Sequence, residues 1–222
     1  MKIKHIISTI LVMTFMACQH SPQFTVSGTI IGAEGQTLYL EHTALTHTFP
    51  MDSCILDEKG DFSLRAKAPQ YPDFYRLRIA TRSLPLAIDS IEKIVVSSSF
   101  DSLPYTLSIE GSDNSLSIAQ LRALARTATR NQLRQQAQLT IIQNPRSLTA
   151  YYAVYLKQNG EYIWDLYTPA DRRLFQAVAT SFHTWMPQYE RSKALYAQVN
   201  GALRTEREMQ QQAAVRQFIN NA

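Results

Sequence analysis

Phe24-Thr-Val-Ser-Gly28-Thr-Ile30, resumed after a Gly32-Ala-Glu-Gly35 turn by Leu38-Tyr-Leu40, decides the fold of the first half of this chain. Phe24, Val26, Gly28 and Ile30 fall on one side of an extended backbone and the polar residues on the other. That is the period of two of a half-buried β-strand. Working outward, the same alternation predicts strands over Thr48 to Leu56, Phe62 to Ala66, Phe74 to Ala80, Leu84 to Asp89, Ile94 to Ser98 and Tyr105 to Glu110. Asp57-Glu-Lys-Gly60, Pro69 with Pro72, and Asp101-Ser-Leu supply turns between them. Short strands at roughly ten-residue spacing predict an antiparallel β-sandwich or open barrel over residues 24–112.

After Asp113 the period lengthens. Leu121, Leu124, Ala125, Ala128, Leu139 and Ile142 share one face at 100° per residue, predicting a helix that Asn144-Pro145 stops. Ser147 caps a second helix to about Lys157, ended by Asn159-Gly160. Thr168-Pro169-Ala-Asp171 starts a third. Pro187 precedes a last one from Tyr189 into the 210s, weakened at Asn200-Gly201. The fold class is therefore α+β, an antiparallel β part followed by a small helical region over 113–222. Charge divides at the same place. Residues 18–112 carry 7 basic and 11 acidic side chains, and residues 113–222 carry 13 and 7.

The chain of 222 residues opens on a basic stretch with Lys2 and Lys4, then an apolar run from Ile6 to Ala17. Twelve residues are too few for a helix to cross a hydrocarbon core, which takes about 20. A basic start, a short apolar run and a small residue before a cut is the secretory pattern. Ala17 is followed by Cys18, and Phe15-Met-Ala-Cys18 resembles the bacterial lipobox, whose cysteine thiol is diacylated, after which the signal is cleaved and the new N-terminus acylated. Residues 1–17 are thus expected to be a lipoprotein signal peptide, Cys18 the lipid attachment site, and 18–23 a tether. Two or more acyl chains hold a protein on a membrane where one gives only marginal binding. The mature protein is expected in the cell envelope, lipid-anchored and periplasm-facing. Removing residues 1–17 leaves 20 basic against 18 acidic side chains, a balance that implies no polyanion, and a nucleic-acid partner is not expected.

Candidate chemistry is sparse. Arg122, Arg126, Arg130 and Arg134 recur every four residues, either as a basic interaction stripe for anionic head groups or an acidic partner, or as a solvated helix face. Cys54 is the one thiol left once Cys18 is acylated, and alternation makes it a small core residue. His42 and His47 with Glu41 and Asp52 have a spacing that suits neither a strand face nor a helical turn, so no metal or cofactor is expected. Tyr151, Tyr152, Tyr155, Tyr162, Trp164 and Tyr167 are either a carbohydrate platform or packing between helices. No CxxC, nucleophile elbow, zincin motif or phosphate-binding glycine loop is present, so no enzymatic activity is expected.

The order Phe24-Thr-Val-Ser-Gly-Thr-Ile30, Gln36-Thr-Leu-Tyr-Leu40, Asp57-Glu-Lys-Gly-Asp-Phe62, Tyr75-Arg-Leu77 and Ile109-Glu-Gly-Ser112 resembles a particular family arrangement. It resembles the domain of unknown function that precedes the thioredoxin-like domain in Bacteroidetes-type TlpA/ResA-like thiol-disulfide oxidoreductase lipoproteins. Asn144-Pro-Arg-Ser147 and the region from Pro187 to Lys193 fit the helical spacer of that family. The catalytic CxxC of the family lies in the thioredoxin-like domain, which has no counterpart before Ala222. The resemblance therefore implies the non-catalytic part: a binding or interaction module with an envelope protein partner, such as a thioredoxin-like protein. The alternatives are an accessory subunit or truncated relative of a redox enzyme, or a glycan- or small-ligand-binding lipoprotein.

Overall fold

The computed structural model describes residues 21–220, apart from 104 and 106. Eight strands come first: β1 (Gln23–Ile31), β2 (Thr37–Thr43), β3 (Thr48–Ile55), β4 (Asp61–Lys67), β5 (Asp73–Ile79), β6 (Arg82–Ile88), β7 (Lys93–Ser99) and β8 (Leu107–Glu110). They form two four-stranded sheets, ordered β4-β1-β7-β8 and β3-β2-β5-β6. Their inward residues, among them Phe24, Val26 and Ile30 of β1, Leu64 of β4, Leu38 and Leu40 of β2, and Leu84 and Leu86 of β6, make one buried core. Each large side chain withdrawn from water there contributes about 1.5–3 kcal/mol.

Pairing differs from expectation at one place. β1 runs antiparallel to β4 but parallel to β7, from Thr25↔Lys93 to Ile31↔Ser99, so the first sheet is mixed rather than antiparallel. Local alternation specifies which face of a strand is buried but carries no information on the direction of its neighbour.

The second half contains α1 (Asp113–Thr127), α2 (Arg130–Gln143), α3 (Leu148–Val154), a short hairpin of β9 (Lys157–Gln158) and β10 (Glu161–Tyr162), α4 (Pro169–Trp185) and α5 (Glu190–Asn220). The fold is α+β. The single helix expected from Leu121 to Ile142 is two, because Thr129 and Gln132 form a reciprocal capping box that starts α2. The break rotates the buried face onto Leu133, Ala137 and Ile141, leaving Leu139 46% and Ile142 60% exposed. Asn159-Gly160 is the turn of the hairpin, not a helix end. Both residues have positive φ (52° and 86°), which suits a tight two-residue connection. Asn200-Gly201 does not interrupt α5, because Leu195, Val199 and Ala202 bury one side of it through that point. No described helix is long and apolar enough to cross a membrane.

The helices pack on the outer face of the second sheet. Phe74 of β5 and Ala87 of β6 point away from the sandwich core and into the helical core, beside Ile118, Leu121, Tyr151 and Phe182. β6 is an edge strand, and serines at the start of α1 satisfy its free backbone. Ala87 N–H donates to Ser115 Oγ (2.9 Å), and Ala87 O accepts from the Ser112 and Ser115 hydroxyls (3.0 Å each). A buried edge would otherwise leave a donor and an acceptor unpaired.

Candidate functional site

At the junction of sheet and helices Asp73 begins β5, with its side chain 15% exposed. Its Oδ1 accepts from Tyr189 O–H (2.7 Å), Arg191 Nε (3.0 Å) and the Phe74 amide (2.7 Å). Its Oδ2 accepts from His42 Nε2 (2.8 Å), which fixes that nitrogen as the protonated one. Burial works to raise the Asp73 pKa. The hydrogen bonds from His42, Tyr189 and Phe74, with the Arg191 charge, outweigh it and hold the carboxyl below its ordinary range. Arg191 also donates to Thr43 O and lies 5.0 Å over the Phe74 ring. One carboxylate thus ties β2, β5 and α5 together. Both of its oxygens accept from protein donors, three on Oδ1 and one on Oδ2, which is the arrangement of a clamp rather than of a proton-transfer group.

Arg191, with Thr43, also lines a cleft of about 500 Å³ between the second sheet and the helices, whereas Asp73, His42 and Tyr189 line a separate cavity beside it. Phe74, Pro85 and Leu45 line it from the sheet side, and Tyr151, Tyr152, Tyr155 and Ala194 from α3, Tyr155 at its C-terminal end, and α5. Tyr155 O–H donates to Gln198 (2.6 Å). Burial and the neighbouring Tyr151 raise the Tyr155 pKa, so the phenol stays neutral and polar without charge. Arg76 reaches the rim while its Nε donates to buried Glu41 (2.6 Å), which also accepts from Arg78 Nε (2.8 Å). Burial pushes the Glu41 pKa up, but those two arginines prevail and hold it low. Among the described residues no Asp or Glu lines the cleft, and of its three arginines Arg76 and Arg191 are paired with Glu41 and Asp73 while Arg122 is not ion-paired.

The four arginines of the expected stripe do not form one surface, because the break at Ala128-Thr129 puts them on two helices facing different neighbours. Arg134 donates to Asp171 (2.5 Å), lies 4.3 Å over Trp164 and ties α2 to α4. Arg130 donates to Tyr162 O (2.6 Å). Arg126 stacks 3.9 Å over Tyr105, and only Arg122 reaches the cleft. The aromatic cluster is divided as well. Tyr151 and Trp164 are buried in the helical core, Tyr152 and Tyr155 line the cleft, and Tyr162 and Tyr167 face solvent. Cys54 is half-buried against the sandwich core, and burial pushes its thiol pKa up, the reverse of what a reactive thiolate needs. His42 serves Asp73, and His47 stacks on Phe49 (5.4 Å). Among the described residues no group of three His, Cys, Asp or Glu is placed to hold a metal ion. Cys18 lies outside the described residues.

Asp73, Tyr189 and Arg191 were not singled out by the sequence. The partners of the clamp are more than 110 residues apart, and no local period connects them. The opposite charge of the two halves was the available signal, since Asp73 and Arg191 join them.

No curated protein matches the chain closely enough to count as a relative. Residues 24–115, from β1 into the first turn of α1, match the model of a family described as a domain of unknown function (DUF4369), which takes in the sandwich and the sheet wall of the cleft.

Proposed function

We propose that the protein is a lipid-anchored envelope protein acting as a binding module, with no catalysis of its own, whose binding site is the cleft between sheet and helices. The observation that carries this reading is the cleft itself: about 500 Å³, aromatic-walled and free of acids. That is the size and character of small-ligand sites, which are concave, mostly apolar and fitted with a few polar groups. A redox-accessory role through Cys54 is less well supported, given its raised thiol pKa.

Ala194→Trp tests the site by filling the cleft from the α5 side, where Ala194 lines it. Native mass spectrometry of gently purified wild-type protein is expected to show a co-purifying small ligand that Ala194→Trp lacks. A ligand retained by the variant, or wild type that carries none and is not stabilised by any member of a small-molecule panel, overturns the reading.

The anchor has its own test. Cys18→Ala is expected to abolish palmitate labelling and to release the protein from membranes, because each buried acyl CH₂ contributes about 0.8 kcal/mol. The circular dichroism of the released protein should match wild type, since Cys18 precedes β1. Wild type that takes up no label, or unlabelled variant that still pellets after a high-salt wash, sinks the lipid anchor.

A further inference from the structure

Beyond Tyr155 the cleft has a neighbour. A second cavity, of about 570 Å³, shares Arg122, Tyr152 and Tyr155 with it as a common wall. The two ends differ in chemistry. The first is bounded by Phe74, Pro85 and Tyr151, whereas the second carries Arg126 and Lys157 and, like the first, no Asp or Glu. Arg76 and Arg191 at the first end are neutralised by Glu41 and Asp73. Arg122, Arg126 and Lys157 make no ion pair among the described residues. Arg126 and Lys157 lie over the rings of Tyr105 and Tyr162, which leaves their charge uncompensated.

Arg122 sits where the two ends meet. Its Nη1 makes only a long contact to the Tyr152 hydroxyl (3.3 Å). Its Nε is buried without an acceptor among the described residues. Arg122 lines both cavities with no carboxylate partner, so the outer nitrogens of its guanidinium stand where an acceptor brought from outside can meet them. Tyr152 accepts from Arg122, which leaves its own proton for the same incoming group.

We infer that the two adjoining cavities together bind a single-tailed anionic amphiphile. Its apolar tail lies against Phe74, Pro85 and Tyr151, and its carboxylate or phosphate head meets Arg122 with Arg126 and Lys157 beyond. This rests on the cleft being the binding site and adds the class of ligand. Charge-assisted hydrogen bonds from a guanidinium to an anionic head are about twice as strong as neutral ones, and the alcohol with the same tail forgoes them.

Isothermal titration of the detergent-free chain carrying Cys18→Ala, below micelle concentrations, separates the terms. The probes are decanoate, decyl phosphate, decanol, acetate and inorganic phosphate. Decanoate or decyl phosphate is expected to bind at least about tenfold more tightly than decanol, with no heat from acetate or inorganic phosphate. The tighter of the two heads distinguishes a carboxylate from a phosphate ligand. Arg122→Gln is expected to weaken the anion about tenfold and leave decanol unchanged. The double variant Arg126→Gln/Lys157→Gln, at exposed positions, is expected to weaken it about threefold and serves if Arg122→Gln unfolds. Decanol binding as tightly as decanoate, or anion affinity unmoved by these variants, overturns the ligand class while leaving the cleft as a binding site. If none of the ten-carbon probes binds, or Ala194→Trp binds them as wild type does, the cleft reading falls as well.

Discussion

Asp73→Ala is expected to cost about 3–5 kcal/mol of folding stability, the range for removing one partner of a buried ion pair. Arg191 would keep its charge, 10% exposed, with the Thr43 carbonyl, the Phe74 and Tyr151 rings and neutral phenols around it but no carboxylate partner among the described residues. His42 and the Tyr189 hydroxyl would lose their acceptor at the same time. For a chain of this size the thermal midpoint should fall by roughly 10 °C, and a fall under about 3 °C would show that the clamp is not needed. Removing both charges in Asp73→Ala/Arg191→Met should recover much of the loss, because no uncompensated ion then remains. The effect has a pH signature. Asp73 is held below its ordinary 3.8, so its contribution is complete above about pH 4 and is lost as pH falls through the lower folded value. Asp73→Ala should lack that part of the acid transition, which urea titrations at pH 5 and pH 2.5 would reveal.

Gly28→Ala is expected to do more damage, from a single methyl group. Gly28 has φ of 143°, and a Cβ built on it would lie 1.8 Å from the carbonyl oxygen of Val96. That atom belongs to the backbone of β7, which β1 pairs with along its length, so no side chain can swing aside. Either the two strands separate at the middle of the sheet or β1 adopts another path, and both expose Val26 and Ile30. A loss above about 4 kcal/mol, seen as insoluble or unfolded chain, is the expected outcome. The neighbouring Ser27→Ala should stay within about 0.5 kcal/mol. A soluble Gly28→Ala protein with wild-type circular dichroism would show that the close approach is dispensable.

How much of this was legible depended on whether the signal was local. Phe62-Ser-Leu64-Arg-Ala66 and Ile94-Val-Val96 alternate because one face of each strand meets the opposite sheet, and the strands lie where that period places them. The capping box Thr129-x-x-Gln132 was also local, yet the continuing spacing of Leu139 and Ile142 masked the break. The direction of β7 beside β1 has no local signature. Nor has the cleft, whose walls come from β5, β6, α1, α3 and α5. Arg122 was visible as one of four equally spaced arginines, but nothing in that spacing distinguishes it from Arg134, which an aspartate on another helix neutralises.

The parallel pairing of β1 bears on the order in which the protein assembles. β1 emerges first but lies inside its sheet, flanked by β4 and β7. Its outermost residues must await partners such as Lys93, 68 positions later than Thr25. Closing so long a segment costs chain entropy before the pairing gives anything back, and contacts of that separation slow folding. The hairpins β2–β3 and β5–β6 can form as soon as their residues exist. The first strand made is therefore among the last enclosed, and until β7 arrives Phe24, Val26 and Ile30 are the segment most in need of shelter from other chains.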